Sequence, residues 1–380
     1  MTALLPSLEP LVATLRAHGY TVVGPCERDG AIVLDVIETA AQLPHGWGVD
    51  TGPGSYRLRR RADRAAFAHS AGPQSWKRFL HPPRERLWSA DRVSGGALSF
   101  RDADDPPPRY AFLGVRGCDL RAIAVQDRIL GGSTSYAARR DTAFLVAVNC
   151  TEPSATCFCV SAGGSPDVAA LGIDADLVLT ELSDSADTEP RYVADAGSAA
   201  GGRILAMLPQ APAGPDVVTA ARHAVAAAAD HMGRSLPEVD LRRMLAQTLD
   251  SPRWEEVASR CLTCANCTMA CPTCFCTSVT DTTELRPPEP AGSNLTGDHA
   301  ERWQRWASCF EVEFSYLHGG SVRTSGRSRY RQWLTHKLGT WHDQFGESGC
   351  VGCGRCIAWC PAGIDITAEV QVLVREAPQP

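Results

Sequence analysis

The sequence predicts an α+β chain in which a mixed α/β part comes first and a helical part follows. Over roughly the first 210 residues, short apolar runs alternate with helical patterns, which is typical of an α/β or α+β domain. From about 215 apolar residues recur at helical spacing, and no strand pattern is found after about 205. The 380 residues allow two domains. We therefore expect an α/β domain over 1–210, a helical connection over 211–240 and an all-helical domain over 241–380.

Individual elements of the N-terminal part follow from these patterns. Leucines and valines at helical spacing predict a first helix over 4–17, and a second helix is expected over 120–130 with Asp119 as its N-cap. Short apolar runs predict buried strands, because strands covered on both faces read as continuous apolar segments. The expected strands are 31–36, 55–58, 110–115, 143–148, 177–179 and 192–194.

The C-terminal part shows apolar and aromatic stripes at helical spacing. A loop with three prolines, over 282–300, is expected to interrupt them. The expected helices cover 218–232, 241–249, 303–317 and 330–341.

Composition narrows the class of protein. A formal net charge of −6 gives no indication of nucleic-acid binding. Neither a secretory signal nor an apolar stretch of membrane-spanning length is recognisable, so we expect a cytoplasmic chain without a membrane span. Sixteen cysteines in such a chain do not fit a disulfide framework, because the cytosol keeps thiols reduced. Their density instead indicates metal or redox chemistry.

Two cysteine runs carry this chemistry. Both fit C-x2-C-x2-C-x3-C-P, the ligand spacing of two-cluster ferredoxins, in which the fourth cysteine of each run holds the other cluster. Small residues such as Ala265, Gly352 and Gly354 let the backbone turn around a cubane. We therefore predict two [4Fe–4S] clusters. The predicted ligands are Cys261, Cys264, Cys267 and Cys360 for the first cluster, and Cys350, Cys353, Cys356 and Cys271 for the second.

Zinc is the alternative occupant of these runs, but zinc prefers two separate cysteine pairs and fits three evenly spaced cysteines poorly. The segment 273–349 between the runs is far longer than a compact β-type ferredoxin needs. Because helical patterns fill it, this part resembles the α-helical ferredoxin type.

Four cysteines of the N-terminal part form a further candidate site. They lie at the ends of two predicted strands and in the segment that follows, so one sheet edge would bring four thiols together. Three interpretations stay open: a third [4Fe–4S] cluster, structural zinc, or buried cysteines without a metal. The four residues are Cys118, Cys150, Cys157 and Cys159.

Cys274, Cys276 and Cys309 belong to neither run. Each is either a small core residue, as free cysteines often are, or an alternative ligand or neighbour that tunes a cluster. The sequence shows no nucleotide-binding loop, nucleophile elbow or zinc-protease helix. We therefore predict no catalytic residue in the chain itself.

With these residues in view, the sequence resembles the β subunits of soluble sulfhydrogenases, the group 3b NAD(P)-linked [NiFe] hydrogenases. It is similar also to the A subunit of anaerobic sulfite reductase. The resemblance rests on GVRGCDLRAI, TSYAARRD, NCTEPSATCFCVS, CLTCANCTMACPTCFC, RYRQWLTHK and CVGCGRCIAWCPAGIDI. It implies a non-catalytic iron–sulfur subunit that relays electrons between an FAD- and NAD(P)H-binding diaphorase subunit and the small subunit of the hydrogenase, next to its large subunit.

Three functions are therefore open. The first is this hydrogenase electron-transfer subunit. The second is the equivalent subunit of an anaerobic sulfite reductase, and the third is a zinc-stabilised or redox-sensing binding protein.

Overall fold

The computed structural model of the chain describes residues 2–70, 72–93, 96–102, 106–183, 188–285 and 295–377. The strands are β1 Ala3–Leu5, β2 Thr21–Arg28, β3 Ala31–Val36, β4 Trp47–Gly52, β5 Ser55–Arg60, β6 Arg84–Val93, β7 Leu98–Asp102, β8 Tyr110–Val115, β9 Phe144–Val148, β10 Leu177–Leu182, β11 Arg191–Ala196, β12 Ala211–Pro212, β13 Thr277–Leu285, β14 Leu295–Trp306, β15 Tyr316–Leu317 and β16 Gly320–Ser321. The α-helices are α1 Glu9–Ala17, α2 Lys77–Leu80, α3 Gly117–Leu130, α4 Thr134–Arg140, α5 Ala199–Ala206, α6 Pro215–Asp230, α7 Leu241–Gln247, α8 Arg253–Arg260, α9 Asn266–Met269, α10 Gly326–Thr335, α11 Trp341–Phe345, α12 Arg355–Ala358 and α13 Ile366–Glu376. A π-helical turn, His336–Thr340, joins α10 to α11.

An eight-stranded sheet organises the N-terminal part, in the order β12-β1-β11-β10-β9-β8-β2-β3. Its centre is parallel, with β10, β9, β8 and β2 side by side, and its outer pairings are antiparallel. The apolar runs of β8 and β9 are buried, as expected for strands covered on both faces. Helices α1 and α5 pack on one core, and α3 and α4 pack on another. The predicted α/β architecture of this part is confirmed.

Two details at the helix starts differ from the sequence prediction. The first residues of the predicted 4–17 helix belong to β1, and α1 begins only at Glu9, with Pro10 in its first turn. The prediction that Asp119 caps the second helix is wrong, because α3 begins at Gly117 and its N-cap is Arg116. Asp119 instead lies buried in the first turn of that helix, where it pairs with Arg355.

The prediction of an all-helical C-terminal part is wrong for residues 277–285 and 295–306. Strands β13 and β14 form an antiparallel pair there, and β14 also pairs with β6, giving the sheet order β13-β14-β6-β7. The aromatic stripe expected as a helix over 303–317 lies at the end of β14 and in the short elements after it. The predicted loop over 282–300 is strand up to Leu285 and again from Leu295, and its three prolines lie outside the described residues.

The remaining C-terminal helices form a core of their own. Side chains from α7, α8, α10 and α13 share it, and Phe158 from the N-terminal part is buried in the same cluster. The helices expected over 241–249 and 330–341 are present, as is α6 over 215–230. In the described part of the chain, no helix is both long and apolar enough to cross a bilayer.

Candidate metal centres

The two cysteine runs adopt the same backbone conformation. In the first run, Thr263 and Ala265 have φ angles of 49° and 67°. In the second, Gly352 and Gly354 occupy the corresponding positions with φ angles of 67° and 73°. A left-handed residue then caps a short helix in each run, α9 after Ala265 and α12 after Gly354. The shared turn is the wrap that the spacing predicts, and a threonine in this region is unusual because L-residues with a Cβ are disfavoured there.

The turn also aims backbone N–H groups at sulfur atoms. The N–H of Thr263 donates to Sγ of Cys261 at 3.4 Å. The N–H of Gly352 donates in the same way to Cys350 in the second run. Such hydrogen bonds favour the thiolate over the thiol, and they are among the features that set the potential of an iron–sulfur cluster.

A first cavity lies against the first run. Its volume is about 460 Å³, part of it open to solvent, and aromatic side chains of α10 form one wall. The four predicted ligands of the first cluster line it together with Cys356. The crossed ligand therefore lies beside the run it is predicted to complete, since Cys360 is remote in sequence but adjacent in space. The four residues are Cys261, Cys264, Cys267 and Cys360.

The four predicted ligands of the second cluster, called the second set below, also lie close together. Cys271 is close enough to Cys350, Cys353 and Cys356 for their charges to interact. Cys350 is buried and the other three are partly buried, whereas Cys264 of the first set is exposed. The crossed geometry that the motif predicts is thus present for both sets, while the assignment of the cysteines as ligands stays a prediction.

A second cavity, of about 480 Å³, lies at the N-terminal cysteines. All four line it, so the structure brings together residues from α3, from the end of β9 and from the segment 157–159. Cys353 of the second run and the side chain of Arg116 line the same cavity. Four sulfur atoms around one space suit a cubane, whose core takes four cysteine thiolates. The four residues are Cys118, Cys150, Cys157 and Cys159.

Within the described residues, no group of three His, Cys, Asp or Glu side chains is close enough to hold a single metal ion. The cysteines that line each cavity supply the number and the type of donor that a cubane cluster takes, namely four thiolates.

Burial opposes ionisation of most of these thiols. It raises the pKa of Cys118, Cys267 and Cys356 well above the usual cysteine value, and that of Cys159 and Cys350 to about 12. Thiolates, not thiols, are the ligands of iron, so loading of these sites must release protons.

Cys271 is the exception. A hydrogen bond from Cys274 holds the pKa of Cys271 well below its usual value, and the ammonium of Lys337 acts in the same direction against burial. The Nζ of Lys337 lies 3.2 Å from Sγ of Cys271. The surroundings of Cys271 therefore favour its thiolate, which is the form that binds iron.

Two of the three additional cysteines lie next to predicted ligands. Cys274 hydrogen-bonds to Cys271, and Cys309 neighbours Cys267. Cys276 lies against Cys309, and the charges of the two interact. None of these three lines the cavity of the first run or that of the N-terminal cysteines. Their positions favour neighbours of a cluster over alternative ligands.

Three charged residues of the site were missed by the sequence prediction. Arg355, inside the second run, is buried and pairs with Asp119 beside Cys118 at 2.9 Å. Lys77 and Lys337 are buried against the segment that follows the first run. A signal for the lysines was present, since the chain contains only these two. Nothing local in the sequence indicates the Arg355 pair.

Comparison with known proteins agrees with this geometry. Residues 260–364 match the family model described as a 4Fe-4S dicluster domain, so the C-terminal part is an iron–sulfur region. The chain is also similar to a protein of Pyrococcus furiosus named Sulfhydrogenase 2 subunit beta. The two are 29% identical over 310 residues, which cover 79% of this chain and 82% of the relative. No solved structure matches the chain. The resemblance to sulfhydrogenase β subunits that the motifs indicate is confirmed.

Proposed function

We propose that the chain is the electron-transfer subunit of a cytoplasmic [NiFe] hydrogenase and relays electrons between a flavin- and NAD(P)H-binding subunit and the hydrogenase small subunit. The similarity to a sulfhydrogenase β subunit supports the hydrogenase assignment over sulfite reductase. The observation that supports the relay is that cysteines of the second run line both the cavity of the first run and the cavity of the N-terminal cysteines.

The second run is the centre of the proposed relay. Cys353 lines the cavity of the four N-terminal cysteines, and Cys356, one helical turn later, lines the cavity of the first run. A short element, α12, therefore separates the two cavities. We infer three [4Fe–4S] clusters in the order N-terminal set, second run, first run. Each cluster, when bound, supplies a one-electron couple.

The outer end of the proposed relay is at the first run. Cys264 is exposed and the neighbouring Leu262 is 65% exposed, while no cysteine of the second set is exposed. Electrons are exchanged over short distances, so a partner's redox centre must approach an exposed cluster edge. We therefore expect one partner to contact the chain at the first run.

Iron content tests the three-cluster arrangement. The anaerobically purified chain should contain about twelve irons and as many sulfides, and no zinc. Replacing Cys118 and Cys150 by alanine should remove about four irons and leave the others. Cys26→Ala is the matched control, because Cys26 is fully buried in β2, away from every cysteine set. About eight irons in the unaltered chain would show that the N-terminal cysteines are not ligands.

The partners are tested separately. A tagged chain purified anaerobically from its own organism should carry nickel and flavin with it. Recovery of sirohaem instead would favour sulfite reductase, and recovery of neither nickel nor flavin would refute the hydrogenase assignment.

A further inference from the structure

The chain contains 37 lysines and arginines, of which only Lys77 and Lys337 are lysines. The two are 260 positions apart, yet both are buried, 2% and 6% exposed, against the segment Cys271–Cys276. Arginine serves as the cation almost everywhere else. An ammonium is a compact point charge, whereas a guanidinium is a broad planar group, so the two are not interchangeable in an enclosed space.

Lys337 makes direct contact with a predicted ligand. Its Nζ donates to Sγ of Cys271 at 3.2 Å and to Oγ1 of Thr273 at 3.0 Å. The π-helical turn His336–Thr340 carries it, and the Lys337 carbonyl accepts hydrogen bonds from Ser348 and Gly349, next to Cys350. The lysine is thereby fixed between the two sequence segments that supply the second set.

Lys77 belongs to the N-terminal part of the chain and contacts the same segment, Cys271–Cys276. Its Nζ donates to the carbonyl oxygens of Cys271 at 3.2 Å and Cys274 at 2.9 Å. The ammonium also lies 3.7 Å from the ring centroid of Trp306, a cation–π contact. These partners are neutral, so they orient the ammonium without cancelling its charge.

Neither lysine forms an ion pair with a carboxylate among the residues that the structure describes. A buried charge is costly unless an opposite charge compensates it. The contact of Lys337 with Sγ of Cys271 points to the compensating charge, which the cluster that Cys271 is predicted to hold would supply. The nearby arginines differ from Lys337. Arg355 also hydrogen-bonds to Cys353 of the second set, but its charge is compensated by Asp119. Arg329 acts on Cys261 of the first set through its charge, and its guanidinium donates to the carbonyl oxygens of Ser325 and Phe310 instead of to a sulfur atom.

We propose that Lys77 and Lys337 are tuning residues that raise the reduction potential of the second-set cluster above that of the first-set cluster. This inference rests on the proposed function, because it presumes clusters at both sets. Reduction adds an electron and no proton, so the reduced cluster carries one more negative charge. A buried cation beside Cys271 stabilises that form, and net charge is one of the properties that set cluster potentials. Of these two clusters, the second-set cluster is then the one on which an electron rests.

The test is a redox titration of the anaerobically purified chain, followed by electron paramagnetic resonance. Lys337→Gln keeps a hydrogen-bond donor and removes the charge. At the potential where half of the second-set cluster is reduced in the unaltered chain, the ratio of reduced to oxidised cluster should fall about tenfold, equivalent to about 59 mV for one electron. Lys77→Met should shift the same signal less, since its Nζ contacts carbonyl oxygens.

Arg331→Gln is the matched control. Arg331 lies on α10, which precedes the π-helical turn of Lys337, and its guanidinium donates to the carbonyl oxygen of Leu249. The substitution therefore removes a nearby cation that does not contact a predicted ligand. It should leave both potentials unchanged. A Lys337→Gln chain with full iron content and an unshifted signal would overturn the proposal. Iron content below eight in the unaltered chain would instead contradict the proposed function, so the two failures are distinguishable.

If the Lys337 variant does not fold, the unaltered chain still tests the proposal. Its titration must resolve the signals of the first-set and second-set clusters from that of the N-terminal set, which replacing Cys118 and Cys150 by alanine removes. Of the two remaining signals, Cys264→Ser, which alters only the first set, must shift the one of lower potential. A shift of the higher-potential signal would overturn the order of potentials.

Discussion

The buried pair Arg355–Asp119 offers a quantitative test of how the two parts of the chain are joined. Nη2 of Arg355 lies 2.9 Å from Oδ1 of Asp119, and the side chains are 3% and 5% exposed. At an effective dielectric constant of about 20, two unit charges at this distance attract by about 6 kcal/mol. The loss of hydration costs several kcal/mol for each ion, so the net contribution of the pair is small.

Removing one partner is a different perturbation. Arg355→Met leaves a buried carboxylate without its counter-charge, which costs about 3–5 kcal/mol. The entropy of unfolding is about 2.1 cal/mol/K per residue, or about 0.8 kcal/mol/K for 380 residues. The melting temperature of the anaerobic, cluster-loaded chain should therefore fall by about 4–6 °C if the chain unfolds as one unit. Asp119→Leu should have a similar effect.

The double variant decides between this explanation and simple loss of packing. Arg355→Met with Asp119→Leu replaces both ions by apolar groups, so most of the lost stability should return. Differential scanning calorimetry on the unaltered chain, the two single variants and the double variant measures this double-mutant cycle. A double variant that is destabilised by the sum of the two single effects would refute the reasoning, because it would show that the two residues act independently.

Three further predictions concern the second run and its surroundings. Cys360→Ala should remove about four irons and the signal of the first-set cluster, although this residue belongs to the second run; loss of the second-set signal instead would contradict the crossed ligands. Gly352→Ala should destabilise the chain far more than Gly363→Ala, measured by thermal melting. Both glycines have left-handed φ angles, but a Cβ at Gly352 would lie 2.6 Å from the backbone of residues 158–159, whereas at Gly363 the nearest atom is 3.4 Å away. Burial lowers the pKa of His81 to about 4. Between pH 6.5 and this value the unfolded chain therefore binds more protons than the folded chain. The free energy of unfolding falls as the pH falls through this window. When the pH is lowered from 7.5 to 5.5, the free energy of unfolding of the His81→Phe variant should fall by about 1.4 kcal/mol less than that of the unaltered chain. Equal decreases in the two chains would refute the lowered pKa.

Local signals account for what the sequence could predict. The spacing of the cysteines fixed the two runs because a cubane requires thiolates at short, regular intervals. Apolar runs gave the central strands, since β8 and β9 are covered on both faces. The clustering of the four N-terminal cysteines was also predictable, because strand ends at one sheet edge lie close together.

Non-local pairing accounts for what was missed. The threonine-rich segment of β13 is typical of a strand, yet the aromatic residues after it have helical spacing. The segment forms a strand and not a helix because β14 pairs with β6, which lies more than 200 positions away in the sequence. Asp119 likewise resembles a helix cap until Arg355 is placed beside it. Single-sequence patterns carry no information about partners at such distances.

These long-range contacts bear on the domain boundaries predicted near 210 and 240. A fragment consisting of 241–380 would keep both cysteine runs and the matched family region. It would lose β6 as the partner of β14, Asp119 as the counter-charge of Arg355, and Lys77. A buried arginine without a partner alone costs about 3–5 kcal/mol, a large share of the 5–15 kcal/mol that stabilises a typical domain.

We therefore expect the 241–380 fragment to hold fewer irons than the same residues hold in the full chain, and to aggregate on expression. The comparison requires the full chain prepared in parallel under the same anaerobic conditions. A soluble fragment with about eight irons and the signals of both clusters would show that the C-terminal part folds alone. The structure of the second run would then not depend on contacts with the N-terminal part. The close approach of Gly352 to residues 158–159 argues for the opposite result, because one backbone turn serves both as the wrap of a cluster and as the contact between the two parts.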